Sequence, residues 1–256
     1  MVFGGLQKLT LLDYPGFTAC TAFVAGCDFA CPFCHNTSLI EGTKGDGTFW
    51  SRDDQNVSSP FVPILDFLKT RQGLLDGVCI SGGEPLLQEG LESFIDKVKE
   101  LGFFVKIDTN GSSPDKLKRL IESGKIDFVA MDIKNSPVKY AQTIGLPDYD
   151  VTAIEDSINL LRTGTIPFEF RTTVVKEFHT EEDLLYIARW ISGASTQVTS
   201  DAKPPQISGE VKYFLQKFVE SDGVKQKGLH SYSDKEMKQL TNVVKTVLPT
   251  AELRGI

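Results

Sequence analysis

Short runs of β-branched and aromatic residues alternate along the chain with segments whose apolar residues recur at helical spacing, and this alternation limits the fold more than any other feature. Successive βα units build parallel sheets. Strand-like runs fall at 19–25, 77–80, 103–108, 126–132, 166–175 and 211–219. Between them, Phe61, Ile64, Leu65 and Leu68 stand at i, i+3, i+4 and i+7, as do Leu91, Phe94, Ile95 and Val98, and Leu184, Ile187, Ala188 and Ile191. Each set makes one apolar helix face. Ser113 and Pro114 suit an N-cap and a first helical position, while Gly73, Gly102 and Gly124 suit left-handed C-terminal caps. A last helix starts near Ser233, with Glu236 placed for a capping box and Met237, Leu240, Val244 and Val247 along one face.

The expected fold is therefore α/β, a partial (β/α)6 TIM-type barrel of parallel strands in a single domain over residues 1–256, a length ordinary for one such domain. Two stretches break the rhythm. The polar, Gly-rich 42–59 and the aperiodic 195–209, with Pro204-Pro205, read as surface loops.

A formal charge of −7 argues against nucleic acid as a partner, because affinity there rests on many Lys/Arg–phosphate contacts. No apolar run reaches the length of a membrane span, and the first ten residues lack a basic segment followed by an apolar one. A cytoplasmic protein with no membrane partner is expected.

Five cysteines, three of them in the loop 26–36, suit metal or redox chemistry better than a disulfide framework. Cys27, Cys31 and Cys34 are spaced to wrap one corner of a cubane. Thiolates suit iron–sulfur clusters, and three of them leave one iron open to a chelating molecule. The competing reading is a structural zinc site completed by His35 or a distant cysteine. His35 adjoins Cys34, which strains joint tetrahedral coordination. Cys20 and Cys79 lie within strand patterns and read as buried core thiols.

In parallel barrels, reactive groups gather where strands end and βα loops begin. Residues 26–36, 81–85, 108–111 and 132–134, with Arg171, all fall at such places. Gly82 and Gly83 let the backbone approach a ligand, and the Glu84 carboxylate suits an ammonium group. Asp108, Asp132, Lys134 and Arg171 taken singly also fit solvated charges or helix N-caps. Their convergence on one rim singles them out. Thr180-Glu181-Glu182-Asp183 reads as a charged helix N-terminus, His179 and His230 as surface residues, and Trp50 and Trp190 as packing groups.

The Cys27-x-x-x-Cys31-x-x-Cys34 spacing, with Phe33 before the last cysteine, resembles the signature loop of the radical S-adenosylmethionine superfamily. Residues 5–8, 13–16, Cys34-His35-Asn36, Ser81-Gly82-Gly83-Glu84-Pro85 and Asp108-Thr109-Asn110-Gly111 resemble the glycyl-radical-activating group within it. Residues 212–218 and the closing Glu252-Leu253-Arg254-Gly255 are most similar to activating proteins of anaerobic ribonucleoside-triphosphate reductases.

That resemblance implies one [4Fe–4S] cluster on Cys27, Cys31 and Cys34, cleavage of S-adenosylmethionine, and hydrogen abstraction from a glycine of the partner reductase. It implies that Glu84 holds the methionyl amine beside Gly82 and Gly83. Phe33, Asp108, Thr109, Asp132, Lys134 and Arg171 would then surround the ribose, the carboxylate or a monovalent cation. A low-potential donor of flavodoxin or ferredoxin type would supply the electron. Three alternatives stay open: an activase of another glycyl-radical enzyme such as pyruvate formate-lyase, a small-molecule enzyme resembling 7-carboxy-7-deazaguanine synthase, and a noncatalytic metal or redox module.

Overall fold

A computed structural model describes residues 1–41, 62–194 and 210–255. The expected loops 42–59 and 195–209, with Trp50 and Phe61, lie outside the described residues. The chain is an α/β domain with a mostly parallel sheet, and strand order follows chain order without reversal. Contacts divide the described residues between two compact units. One takes Met1–Asp28, Asn36–Thr109 and Asp115–Ala130; the other takes Phe29–His35, Asn110–Pro114 and the chain from Met131 onward.

In the first unit, β2 (Ala19–Val24), β3 (Gly77–Gly82) and β4 (Phe104–Thr109) run parallel, with Ala19, Gly77 and Phe104 in register at their starts. Val78, Cys79, Ile80, Val105 and Ile107 are fully buried, as are Ala19, Cys20 and Ala22. Strands covered on both faces read as continuous apolar runs, which is why these were visible in the sequence. The first strand was not foreseen. β1 (Phe3–Thr10) pairs antiparallel with β2, and the register shifts between Phe3 and Gly5 and between Gln7 and Thr10. Its Gly4-Gly5 pair and exposed Gln7, Lys8 and Leu9 leave no clean alternation to read.

Helix α1 (Thr37–Glu41) follows the cysteine loop, and α2 (Val62–Lys69) precedes β3. Helix α3 (Leu91–Glu100) buries Leu91, Phe94, Ile95 and Val98, the stripe its spacing predicted, with Phe94 edge-on to Phe3 at 4.9 Å. Helix α4 (Pro114–Glu122) opens on Pro114, and Gly124 (φ 67°) follows its end. β5 (Phe128–Asp132) is the strand along which the chain passes from one unit to the other.

The second unit holds α5 (Pro137–Ile144), α6 (Thr152–Thr163), β6 (Phe168–Val174), α7 (Glu181–Ser192), β7 (Tyr213–Lys217), α8 (Asp234–Lys245) and β8 (Ala251–Arg254). β6, β7 and β8 run parallel. β8 escaped the sequence reading because four residues carry too little pattern. Arg254 makes two 2.8 Å hydrogen bonds to the buried Glu169 carboxylate and lies 3.3 Å over the Phe214 ring. The closing Glu252-Leu253-Arg254-Gly255 word thus has a structural duty.

Both expected helix starts form capping boxes, Thr180 with Asp183 and Ser233 with Glu236, while Val247 falls beyond the end of α8 instead of on its face. Among the described residues, no helix is long and apolar enough to cross a membrane. Because the Ser233 side chain satisfies the otherwise orphaned Glu236 N–H, Ser233→Ala should cost about 1 kcal/mol. A urea titration reads this as a lower midpoint at unchanged slope.

Candidate functional site

The first unit presents the Gly82-Gly83-Glu84 turn where β3 ends. Gly82 has φ 114°, and a Cβ there would sit 2.5 Å from the Val24 N and O atoms; a Cβ on Gly83 would sit 1.9 Å from Gly26 O. Only glycine fits. The bare backbone lets Gly83 N–H donate to Val24 O and Glu84 N–H to Gly26 O, each at 2.8 Å, so this turn is pressed onto the segment that leads into Cys27. Asn36 Nδ2 adds a 3.0 Å bond to Gly82 O.

Glu84 is fully buried. Its Oε1 accepts from Leu86 N–H at 3.0 Å and from the Thr109 hydroxyl at 2.8 Å, so it caps the short 3-10 turn Pro85–Leu87 and ties it to the end of β4. Asp108, one residue earlier, is bonded by Lys106 Nζ and by Ser81 Oγ at 3.1 Å. Lys106 is completely enclosed, its Nζ 3.9 Å from Cys79 Sγ and 6.0 Å from the Phe128 ring centre. The sequence reading missed this lysine. A Val-Lys-Ile-Asp run looks like an alternating strand with its lysine in solvent, yet here both faces are covered.

The second unit holds the greater part of the cysteine loop, Phe29–His35. Cys34 N–H turns back to Cys31 O at 3.2 Å, and Ala30 N–H donates to Ile144 O at 2.9 Å. Three rings anchor it: Phe29 against Tyr149 at 5.3 Å, Phe33 against Phe178 at 5.6 Å, and His35 against Phe218 at 5.3 Å. Phe33 is therefore packed within this unit, a role its expected place beside the cofactor did not reveal. Cys27, Cys31 and Cys34 are in no disulfide among the described residues, Cys31 buried and the others half-buried. Burial pushes the Cys31 thiol up to about 11, against the opposing pull of the Lys134 charge.

At the end of β5, Asp132 accepts from Arg171 Nε at 2.8 Å and from Lys134 Nζ at 3.0 Å. Burial works against its ionisation, but the Arg171 and Lys134 charges and their hydrogen bonds outweigh it and hold the carboxyl well below the usual carboxylate range. Arg171 sits in the middle of β6, not at its end as expected, and reaches Asp132 with its long side chain.

His179, expected at the surface, is fully enclosed. Lys176, Glu177 and Thr180 around it are polar and exposed, while the turn closed by His179 N–H to Val175 O at 2.9 Å folds the ring inward. Nδ1 accepts from Val175 N–H at 3.1 Å, which assigns the proton to Nε2, the donor to Lys134 O at 2.8 Å. The imidazole is a neutral strut under the Lys134 backbone. Burial lowers its pKa, more strongly than the hydrogen bonds to Lys134 and Val175 raise it. His230 is exposed, as expected, and pairs with Glu177 at 2.6 Å.

The donor chemistry within each unit suits an iron–sulfur cluster and a small chelating ligand: Cys27 in the first and Cys31 and Cys34 in the second are soft donors, and the Gly82-Gly83 cradle of the first has no room for side chains. The Ser112 hydroxyl, beyond the end of β4, is buried with no partner among the described residues, as a group awaiting a ligand would be. Among the described residues, no three His, Cys, Asp or Glu side chains converge on a single point, and a cubane asks of its ligands one thiolate for each of three irons. Cys20 and Cys79 are core thiols, as expected.

Comparison with known proteins bears on the same residues. A family model described as "Radical SAM superfamily" matches residues 21–191. The chain is 30% identical over 260 residues to "Putative glycyl-radical enzyme activating enzyme MJ1227" of Methanocaldococcus jannaschii, covering 98% of this chain and 95% of that protein. It is 29% identical over 218 residues to the pyruvate formate-lyase-activating enzyme of Listeria monocytogenes, covering 81% and 83%. Among solved structures, SuiB of Streptococcus suis superposes with a TM-score of 0.62 over 93% of this chain and 49% of its own, at 14% identity, a likeness of fold.

His179 also generates a pH prediction. With its folded pKa held below the unfolded value of about 6.5, the unfolded chain binds the extra proton, so stability declines as pH falls through that value. In urea titrations between about pH 7.5 and 5.5, His179→Gln should flatten this decline relative to the parent. An unchanged slope would remove His179 from the account.

Proposed function

Since the chain belongs to the radical SAM superfamily and is an enzyme of that family, we propose that it is a glycyl-radical activase whose substrate is a glycine of an anaerobic ribonucleoside-triphosphate reductase. The observation that carries the activase reading is the 30% identity to a putative glycyl-radical enzyme activating enzyme across 98% of the chain. The choice of reductase rests on the words at 5–8, 13–16, 212–218 and 252–255.

Cys27, Cys31 and Cys34 would hold a [4Fe–4S] cluster, with S-adenosylmethionine completing its fourth iron. When bound, these groups supply reductive cleavage of the sulfonium and abstraction of a hydrogen atom from the substrate. The chain's own part is to bind, orient and balance charge. Gly82 and Gly83 admit the ligand to the backbone, and Glu84 accepts the methionyl ammonium while Thr109 fixes the carboxylate's orientation. Asp132 carries a negative charge already matched by Lys134 and Arg171, so the three form a polar wall for the ribose and the cofactor's carboxylate. Asp108, tied to Lys106, contributes through that pair to the ribose or to a monovalent cation. An electron donor of flavodoxin or ferredoxin type suits the low potential such cleavage needs.

After anaerobic reconstitution with iron and sulfide, incubation with reductant, S-adenosylmethionine and a candidate reductase should give a glycyl-radical EPR doublet on the reductase. Cys31→Ala should abolish it. Cofactor cleavage without a radical on any glycyl-radical enzyme would point to a small substrate, and stoichiometric zinc without iron uptake would sink the reading. Glu84→Gln keeps an acceptor for the 3-10 turn and removes the charge. It should weaken S-adenosylmethionine binding by roughly tenfold or more, the worth of a charge-assisted bond of about 1.5–3 kcal/mol. Equilibrium binding to the reconstituted protein measures this, with the urea midpoint as control for folding.

A further inference from the structure

The connection from Phe218 to Tyr232 contains no helix or strand. At about fifteen residues it is near the upper limit for a structureless link in a compact domain, a length at which such segments usually have a task. Its path is well fixed. Val224 and Leu229 are buried, Val224 N–H closes a turn on Ser221 O at 3.1 Å, and Lys227 Nζ reaches the Ser221 and Asp222 carbonyls at 3.2 and 3.1 Å.

What this segment touches is the cysteine loop of its own unit. Lys225 N–H donates to Cys34 O at 3.2 Å, Gln226 N–H to Pro32 O at 2.8 Å, and Lys225 Nζ to Ala30 O at 3.1 Å. Gly223 comes so near that a Cβ would lie 2.8 Å from His35 O. Carbonyls at 30, 32, 34 and 35 are thus all met by residues 223–226. None of these contacts involves a sulfur. Each fixes the backbone from which Cys31 and Cys34 project, and one places an ammonium group against the residue preceding Cys31.

We propose that residues 221–226 are a strap that sets the conformation of the cysteine turn, with Lys225 as a positioning residue for the iron–sulfur group. The strap itself is a property of the chain without metal; the action of Lys225 on the cluster rests on the cluster reading above. A turn held from outside presents its thiols in one arrangement, so less ordering is needed when metal binds. A nearby cation favours the more negative, reduced state of a cluster, and local charge is among the levers that set cluster potentials.

Amide hydrogen exchange on the metal-free protein tests the strap. Lys225 and Gln226 should exchange slowly although they lie in an irregular segment. Lys225→Ala should speed exchange at Phe33 and Cys34 by about tenfold, the effect of one lost hydrogen bond. Gly223→Val, which forces the segment off His35 O, should do so more strongly, and Lys225→Arg should restore the parent rates. Unchanged exchange at Phe33 and Cys34 in both the alanine and valine variants would overturn the strap.

On reconstituted protein at equal iron content, Lys225→Ala should move the cluster midpoint potential to more negative values, and Lys225→Arg should return it. A potential that stays put while exchange quickens would overturn the role of Lys225 toward the cluster. Failure of the parent to take up a cluster would defeat the cluster reading and Lys225's role with it, leaving the strap to be judged by exchange alone.

Discussion

The contact of Gly83 with the Gly26 carbonyl is the constraint from which the first unit's chemistry follows. Loops that leave neighbouring strand ends normally keep their backbones apart by the side chains they carry. Here the side chains are missing, and the backbone of one turn lies directly on the other. Two consequences come from one contact. The segment entering Cys27 is held by hydrogen bonds from Gly83 and Glu84, and Glu84 is carried into a buried position where its charge is bonded to Leu86 and Thr109.

Charge in both units is handled by the same device, a carboxylate at a strand end paired with a cation two residues away. Asp108 has Lys106 behind it, and Asp132 has Lys134 ahead of it with Arg171 reaching across from β6. In a strand, residues i and i+2 share a face, so the Lys106–Asp108 pair within β4 needs no special turn, whereas Lys134 reaches back from beyond the end of β5. The second unit then adds His179, which fixes the backbone of Lys134 rather than its charge.

How much of this could be read beforehand depends on whether the information sits in side-chain pattern or in backbone. Strands β2 to β7 were legible because burial on both faces leaves nearly unbroken apolar runs. β1 was hidden by Gly4-Gly5 and its exposed residues, and β8 by its brevity. The cysteine spacing and Gly82-Gly83-Glu84 stood out because few residue types can do what they do. Lys106 passed unnoticed and His179 misled, since a lysine in an alternating run and a histidine near acids both look exposed, and only the packed chain shows where they point. Residues 221–226 left no mark at all, because their work is done mostly by main-chain N–H groups that any sequence supplies.

The enclosed Lys106–Asp108 pair has an evolutionary corollary. Removing one member of a buried ion pair strands the other, typically at a cost of about 3–5 kcal/mol, whereas replacing both with apolar groups of matching shape is often tolerated. Positions 106 and 108 are therefore expected to drift together or not at all. Descendants of this chain that lose the lysine should lose the aspartate's charge with it, so the two substitutions are coupled through the interior of β4.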